Sequence, residues 1–315
     1  MEHKFDVIVV GELNVDLILD GADREMEIGK EIIAKKMTLT LGSSSAIFAS
    51  NLSSLQKKVS FLGKIGDDNY ASIVLDSLKA KNVDVSNILL DKNDQTGITV
   101  VVNYDEDRAN ITYPGTMNLL TIDDIKDDIL KQAKHMHLSS VFLQEGIKDS
   151  IVDIFKKAKS LGLTTSLDPQ WDPEEKWDLD LEKLLPYVDV FLPNITEIGF
   201  ITKTSNVNDA IEKIKSYSNY VVIKDGSNGS HLWDKEKIIH QGIFNNPDVA
   251  DCIGAGDSFN SGFISKFVEG ADLKTCLEYG SLTGAINTTQ AGGTTAFNNI
   301  NKIKETALSK FNYKI

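Results

Sequence analysis

From residue 121 to 223 the chain repeats one rhythm, a helical stretch followed by a short apolar run, and no other feature limits its fold as tightly. The pieces read as 122–133, 137–142, 151–161, 164–167, 181–185, 188–192, 207–216 and 220–223. Amphipathic helices alternating with short β-branched runs predict βαβ units, and so a mostly parallel α/β sheet with helices on both faces. Phe5–Val10 and 59–62 read as further buried strands, and 47–55, 70–81, 258–267 and 273–288 as helices. Two stretches break the rhythm. Residues 32–39 alternate like a strand exposed on one side, while 96–104 and 109–113 read as a hairpin around the acidic turn Asp105-Glu106-Asp107. Together they can form a small separate sheet.

In open sheets of this kind ligands collect beyond the carboxyl ends of the strands. Asn14 and Asp16, two residues apart, follow the first strand and share a face if it continues, which suits them to grip hydroxyls; they are equally ordinary turn residues. Gly42-Ser43-Ser44-Ser45-Ala46 is a small-residue loop running straight into an apolar helix. Asp168, Asn194, Glu197 and Gly226 each come just after a predicted strand. An amide and a carboxylate three apart, as in Asn194-Ile195-Thr196-Glu197, can hold magnesium-bound waters or simply cap a helix. Lys224-Asp225-Gly226-Ser227-Asn228-Gly229 can let a nucleotide lie on its backbone, or be a plain hairpin turn.

A second small-residue loop, Asp251-Cys252-Ile253-Gly254-Ala255-Gly256, opens the helix that begins near Asp257. Side chains this small let backbone N–H groups approach a ligand, and the helix start adds more N–H groups and the positive end of its dipole. The combination is an anion site. A carboxylate at Asp257 would repel a phosphate there, unless it takes the proton of a hydroxyl attacking the phosphorus. The other reading makes it a helix N-cap.

Composition closes off several classes. A net charge of −13 leaves no basic surplus for a nucleic-acid partner. No run approaches the ~20 apolar residues of a membrane span, and the N-terminal segment does not read as a signal peptide. A cytoplasmic setting is expected. Cys252 and Cys276 form neither a ligand cluster nor a disulfide framework. No GxxxxGK[ST] occurs, and Phe259 stands where GxGxxG needs its third glycine. His135 and His137 can share a strand face, which reads as packing rather than as a metal site. At 315 residues, one large domain with an appendage and two domains are both compatible with the chain.

The order of Gly11–Asp16, the loop at 42, Gly63–Asp68, the Pro193–Glu197 segment, the Lys224–Gly229 turn and DCIGAGDSFNSGF resembles the ribokinase-like (PfkB-type) carbohydrate kinases. The resemblance spans nearly the whole chain, and its most specific piece is DxxGAGDxFxxGF. It implies one domain over 1–315, a three-layer α/β/α sandwich with a β lid formed by about 17–41 and 96–113. It also implies ATP-dependent phosphorylation of a sugar hydroxymethyl group with Mg2+. On that resemblance Asp257 is the general base, and Gly254, Ala255 and Gly256 supply the anion hole. Asn14, Asp16, Gly42, Ser43 and Ser44 are substrate contacts, and Asn194 and Glu197 organise magnesium and phosphate. Lys224, Gly226, Ser227, Gly229 and Ser281 hold the nucleotide. Asp251 and Ile253 match positions lining a monovalent-cation (K+) site in some members.

Departures bear on the substrate. Ser43 stands where many members have a second glycine, and Ile47 where an asparagine contacts the sugar. Glu145 is a candidate replacement contact. Asp168-Pro169-Gln170 resembles the aspartate-proline-asparagine stretch of fructose and ketodeoxygluconate kinases. Two other functions stay open: a nucleoside kinase of the same fold, with Phe48, Tyr104 and Tyr113 to stack on a base, and a non-catalytic sugar or nucleotide sensor. An exposed lid edge also suggests a homodimer through the lid.

Overall fold

The computed structural model describes residues 3–22, 24–104 and 107–315. In chain order the strands are β1 (Phe5–Val10), β2 (Asn14–Asp20), β3 (Lys36–Leu41), β4 (Val59–Gly66), β5 (Asp84–Asp91), β6 (Gly97–Tyr104), β7 (Asp107–Tyr113), β8 (Ala133–Ser139), β9 (Thr164–Asp168), β10 (Val190–Phe191), β11 (Tyr220–Lys224), β12 (Ser230–Trp233) and β13 (Ile238–Gln241). The helices are α1 (Ser44–Ser54), α2 (Asn69–Ala80), α3 (Asp127–Leu130), α4 (Glu145–Lys148), α5 (Ile151–Ser160), α6 (Leu181–Leu184), α7 (Ile195–Thr202), α8 (Val207–Ile214), α9 (Ala255–Val268), α10 (Leu273–Asn287) and α11 (Ile300–Phe311).

Nine strands form the main sheet in the order β13-β12-β11-β10-β9-β8-β1-β4-β5. All its pairings are parallel except those of β12 and β13. Burial on both faces explains the apolar run of β1. Ile8 and Val10 face the core under α5 and α6, while Val7 and Val9 face the one under α1, α2, α9 and α10. Each such side chain contributes about 1.5–3 kcal/mol on removal from water. From β1 the chain builds β4 and β5 on one side, then β8, β9, β10 and β11 on the other. The strand order therefore reverses at β1, and a crevice opens beyond its carboxyl end.

The second sheet, β3-β2-β6-β7, is the lid. Its central pair β2–β6 is parallel and the flanking pairs are antiparallel. Asn14 and Asp16 belong to β2, so they sit on the lid rather than at the end of β1 as the sequence suggested. The strand expected over 32–39 begins only at Lys36, and the lid hairpin closes as expected, with residues 105 and 106 of its turn outside the described residues. The helix expected over 122–133 shrinks to α3. Asp124 accepts from Thr121 N at 2.9 Å and pairs with Lys64, and this fixes a turn where a helix would have begun. Among the described residues no helix is long and apolar enough to cross a membrane.

His135 and His137 lie in β8, fully buried. Burial holds His135 down to about 3 and His137 well below its ordinary value, so both are uncharged. Each shares a 2.7 Å hydrogen bond with Ser166 Oγ, and His137 stacks on Phe48 at 3.7 Å. Their role is packing.

Candidate active site

Residues around the start of α9 line two cavities: Ala255 and Gly256 line one and Ile253 the other. The N-cap of α9 is Gly254, at φ 74°, a left-handed conformation that glycine adopts without cost. A Cβ there would also lie 2.6 Å from Gly293 Cα. Asp257 therefore stands inside the first turn of the helix and is not its cap. Its carboxylate is buried and turned across the helix start toward Ser44 and Gln170.

The first cavity, of about 510 Å³, is lined by Lys224, Gly226, Ser227 and Gly229 on one wall and by Ala255, Gly256, Phe259 and Ser281 on the other. Ile243, Phe244 and Val249 add an apolar end. The residues expected to hold the nucleotide, Asn194 apart, thus line one space. The turn at 226–229 is also the hairpin connection between β11 and β12, as the hairpin reading of it expects.

The second cavity, about 250 Å³, lies between the sheet edge and the lid. Glu12, Ser43, Ser44, Ser140, Gln170 and Ile253 form its floor and sides, and Asn14, Asp16, Thr99, Asn110 and Thr112 face it from the lid. Asn14 Nδ2 donates to Asp16 Oδ1 at 3.1 Å and to Thr99 Oγ1 at 3.0 Å. Gly42 permits this crowding: a Cβ there would meet Asp16 Oδ1 at 2.3 Å and Asn14 Nδ2 at 2.8 Å. Ser43 adopts φ 68°, in the region that favours glycine. Its hydroxyl offsets the strain by donating to the Glu12 carbonyl at 2.7 Å and accepting from Ala46 N at 2.9 Å.

Glu12 was absent from the sequence expectations. It is buried, and burial pushes its carboxyl up, against hydrogen bonds from Ser45 Oγ and N and from Ser140 Oγ. These partners lie 33 and 128 residues away, so nothing local marks it. Asn260 was also missed, although it stands one turn after Asp257 on the same helix face, a signal the sequence did contain.

Beneath Asp257 lies a charge cluster. Lys224 Nζ meets Asp168 Oδ2 at 2.7 Å, and Asp168 is wholly buried. Asn260 Nδ2 and Gln170 Nε2 donate to the same oxygen. Burial alone would lower the Lys224 ammonium, but the carboxylates of Asp168, Glu197 and Asp257 hold it up, and it stays charged. Burial pushes Asp257 up to about 7, with Asp168 and Glu12 adding to the rise and the Ser44 hydrogen bond and Lys224 opposing it. Burial, with repulsion from Asp168, also raises Glu197.

Several expected contacts lie elsewhere. Asp168 anchors Lys224 under the floor and is not among the residues lining the second cavity. Glu145 is exposed at the start of α4, outside the chamber, where the buried Gln144 side chain pins Ser139 O and Ser140 O and leaves Glu145 facing water. Asn194 and Glu197 complete a reciprocal capping box on α7, so the helix-cap reading of that pair is realised. The oxygens of Asp251 accept from Ile253 N and Gly292 N, and Ile253 O accepts from Asn287 Nδ2. Among the described residues no cluster of three or more metal-ligating side chains occurs. Ile47 is buried against Gly254 and Gly293, outside the chamber. Phe48 is spent on His137, and Tyr113 points its hydroxyl at Asp94.

The arrangement can place a hydroxyl in the chamber and a phosphate on the α9 amides, with a buried carboxylate between them. Known proteins resemble the chain in sequence and fold. The chain is 26% identical over 294 residues to the ATP-dependent ribose-1-phosphate kinase of Halopiger xanaduensis, covering 92% of this chain and 94% of that one. It is 27% identical over 301 residues to the 5-dehydro-2-deoxygluconokinase of Clostridium perfringens, covering 90% and 87%. The solved Arabidopsis thaliana ribokinase, complexed with ribose and ATP, superposes with a TM-score of 0.83 at 24% identity, over 96% of this chain and 98% of that one. The family described as pfkB family carbohydrate kinase matches residues 4–300. This chain belongs to the pfkB family of carbohydrate kinases.

Proposed function

We propose that this kinase transfers the γ-phosphoryl group of ATP to a hydroxymethyl group of a sugar held under the lid, with Asp257 as general base. One observation carries the reading: Asp257 follows residues that line one cavity and is hydrogen-bonded to residues that line the other. The residues just before it, Ala255 and Gly256, line the nucleotide-sized cavity, while its own carboxylate touches Ser44 and Gln170 of the chamber. The names of the relatives support ATP as donor and a sugar as acceptor.

In this mechanism Asn14, Asp16, Asn110 and Thr112 orient the sugar from the lid. Asp257 accepts the hydroxyl proton as that oxygen attacks the γ-phosphorus, and ADP leaves. The N–H groups at the start of α9 face the charge that grows on the phosphoryl oxygens, and Lys224 adds a fixed positive charge. Glu197 and Asn194, already spent on one another, fit a magnesium ion only through water; when bound, the ion would neutralise charge on the phosphates. The Asp251–Ile253 loop satisfies its own oxygens, and no cation role is proposed for it.

The test is ADP release in a coupled assay with pentoses, ketoses, sugar acids and nucleosides as acceptors. Release dependent on a sugar is expected. Release with nucleosides alone would replace the acceptor, and binding without release would make the protein a sensor. A nucleoside draws little support, since Phe48 and Tyr113 are committed elsewhere. We also propose that a second copy covers the lid. Leu39, Leu17, Val100 and Ile111 form one cross-strand row on the face away from the chamber, and Ile111 is 63% exposed.

A further inference from the structure

Three serines in a row, Ser43, Ser44 and Ser45, begin α1, and their hydroxyls part ways. Those of Ser43 and Ser45 bind Glu12. Ser43 and Ser44 both line the chamber, but of the three it is the Ser44 hydroxyl that donates to Asp257 Oδ1. Gln170 Nε2 holds the pair from the other side, donating to Ser44 Oγ at 2.8 Å, to Asp168 Oδ2 at 3.0 Å and to Asp257 Oδ1 at 3.2 Å. A hydroxyl on a base, with a third group orienting both, is the arrangement an acceptor hydroxyl must reach for phosphoryl transfer. Here a side chain of the protein already occupies it.

We propose that Ser44 is the resident occupant of the acceptor-hydroxyl position, closing Oδ1 of Asp257 to water until a sugar displaces it. This rests on Asp257 being the base. The reaction at stake is hydrolysis of the nucleoside triphosphate. A water bound on Oδ1 would give its proton to Asp257, form the new bond from its oxygen to the γ-phosphorus, and release nucleoside diphosphate and inorganic phosphate. While the Ser44 hydroxyl holds Oδ1, that water lacks its acceptor. Ser44 is itself held back from attack, because its neighbours on both sides are tied to the buried Glu12.

A pH signature separates this from a merely structural serine. The charged groups facing Asp257 are Glu12 from the β1–β2 connection, Asp168 at the end of β9, Glu197 in α7 and Lys224 at the end of β11. Against the carboxylates, and alongside Lys224, the Ser44 hydrogen bond favours the ionised form of Asp257. Removing the hydroxyl should shift the acid limb of kcat/KM, which reports the enzyme without acceptor, to higher pH. The acid limb of kcat should stay in place, since a bound sugar has already displaced Ser44.

The experiment is ADP release from MgATP with no acceptor, well above pH 7, for the native chain, Ser44→Ala and Ser44→Thr. Ser44→Ala should release ADP about tenfold faster than the native chain, the worth of one hydrogen bond to a charged group. Ser44→Thr keeps the hydroxyl and should release it far more slowly than Ser44→Ala. Equal release from Ser44→Ala and the native chain overturns the proposal. So does a phosphate found on Ser44 of the native chain by mass spectrometry, which would make that hydroxyl an acceptor. Sugar-dependent turnover in Asp257→Asn tests the base separately. Its loss, together with unchanged leakage in Ser44→Ala, removes the guarding role and leaves the base in place.

Discussion

Asp257→Asn should lower kcat by about 10²–10⁴-fold, the loss typical of removing a positioned general base. The amide has nearly the same shape and can still meet Ser44 and Gln170, so the fold should hold. Native turnover should also depend on pH in a direction set by the surroundings of Asp257. Burial pushes its carboxyl up to about 7, and the base works only when ionised. Activity should therefore rise through neutrality, falling about tenfold per pH unit on the acid side. The residual activity of the amide variant should lack that limb. Near-native turnover in a folded Asp257→Asn protein would end the mechanism.

The second large effect is on stability. Asp168→Ala should destabilise the protein by about 3–5 kcal/mol, because it leaves the Lys224 ammonium buried without its nearest counter-charge. It also strips the amides of Asn260 and Gln170 of a shared acceptor. The midpoint of urea unfolding would report the loss. Replacing both partners, as Asp168→Asn with Lys224→Met, should recover much of the stability without restoring turnover, since removing a buried pair together strands no charge. A fully stable Asp168→Ala protein would show that the pair is not the anchor its geometry suggests. Any activity that variant keeps should have its acid limb at lower pH, because the Asp168 charge helps to raise Asp257.

Much of this site could be read from the sequence because its parts sit where strands end. Asp168, Asn194, Lys224 and Asp257 each follow an apolar run or open a helix, and the parallel sheet carries the strand ends among them to one edge. What failed to show was whatever depends on partners distant in the chain. Glu12 looks like one more residue leaving a strand until Ser45 and Ser140 fold against it. Glu145 looked available because it follows the apolar 137–143 segment, but a buried Gln144 fixes the turn that points it outward. The helix expected over 122–133 failed for a local reason, a side chain–backbone turn at Thr121 and Asp124 that competes with helix formation. Strand β5 has an irregular mix of polar and apolar residues, fitting an edge position, and periodicity passed over it.

The lid joins the main sheet by a short tether. Only Gly11, Glu12 and Leu13, all buried, separate the central strand β1 from lid strand β2. The lid's inner pair therefore cannot open by fraying alone: releasing Asn14 and Asp16 means disturbing the middle of the nine-stranded sheet. Amide exchange should grade across this small sheet, slowest at the first residues of β2 and fastest along the outer strands β3 and β7. If so, the enzyme admits its substrate by the yielding of a rim around a fixed post, and the side chains on that post meet every molecule that enters in the same pose.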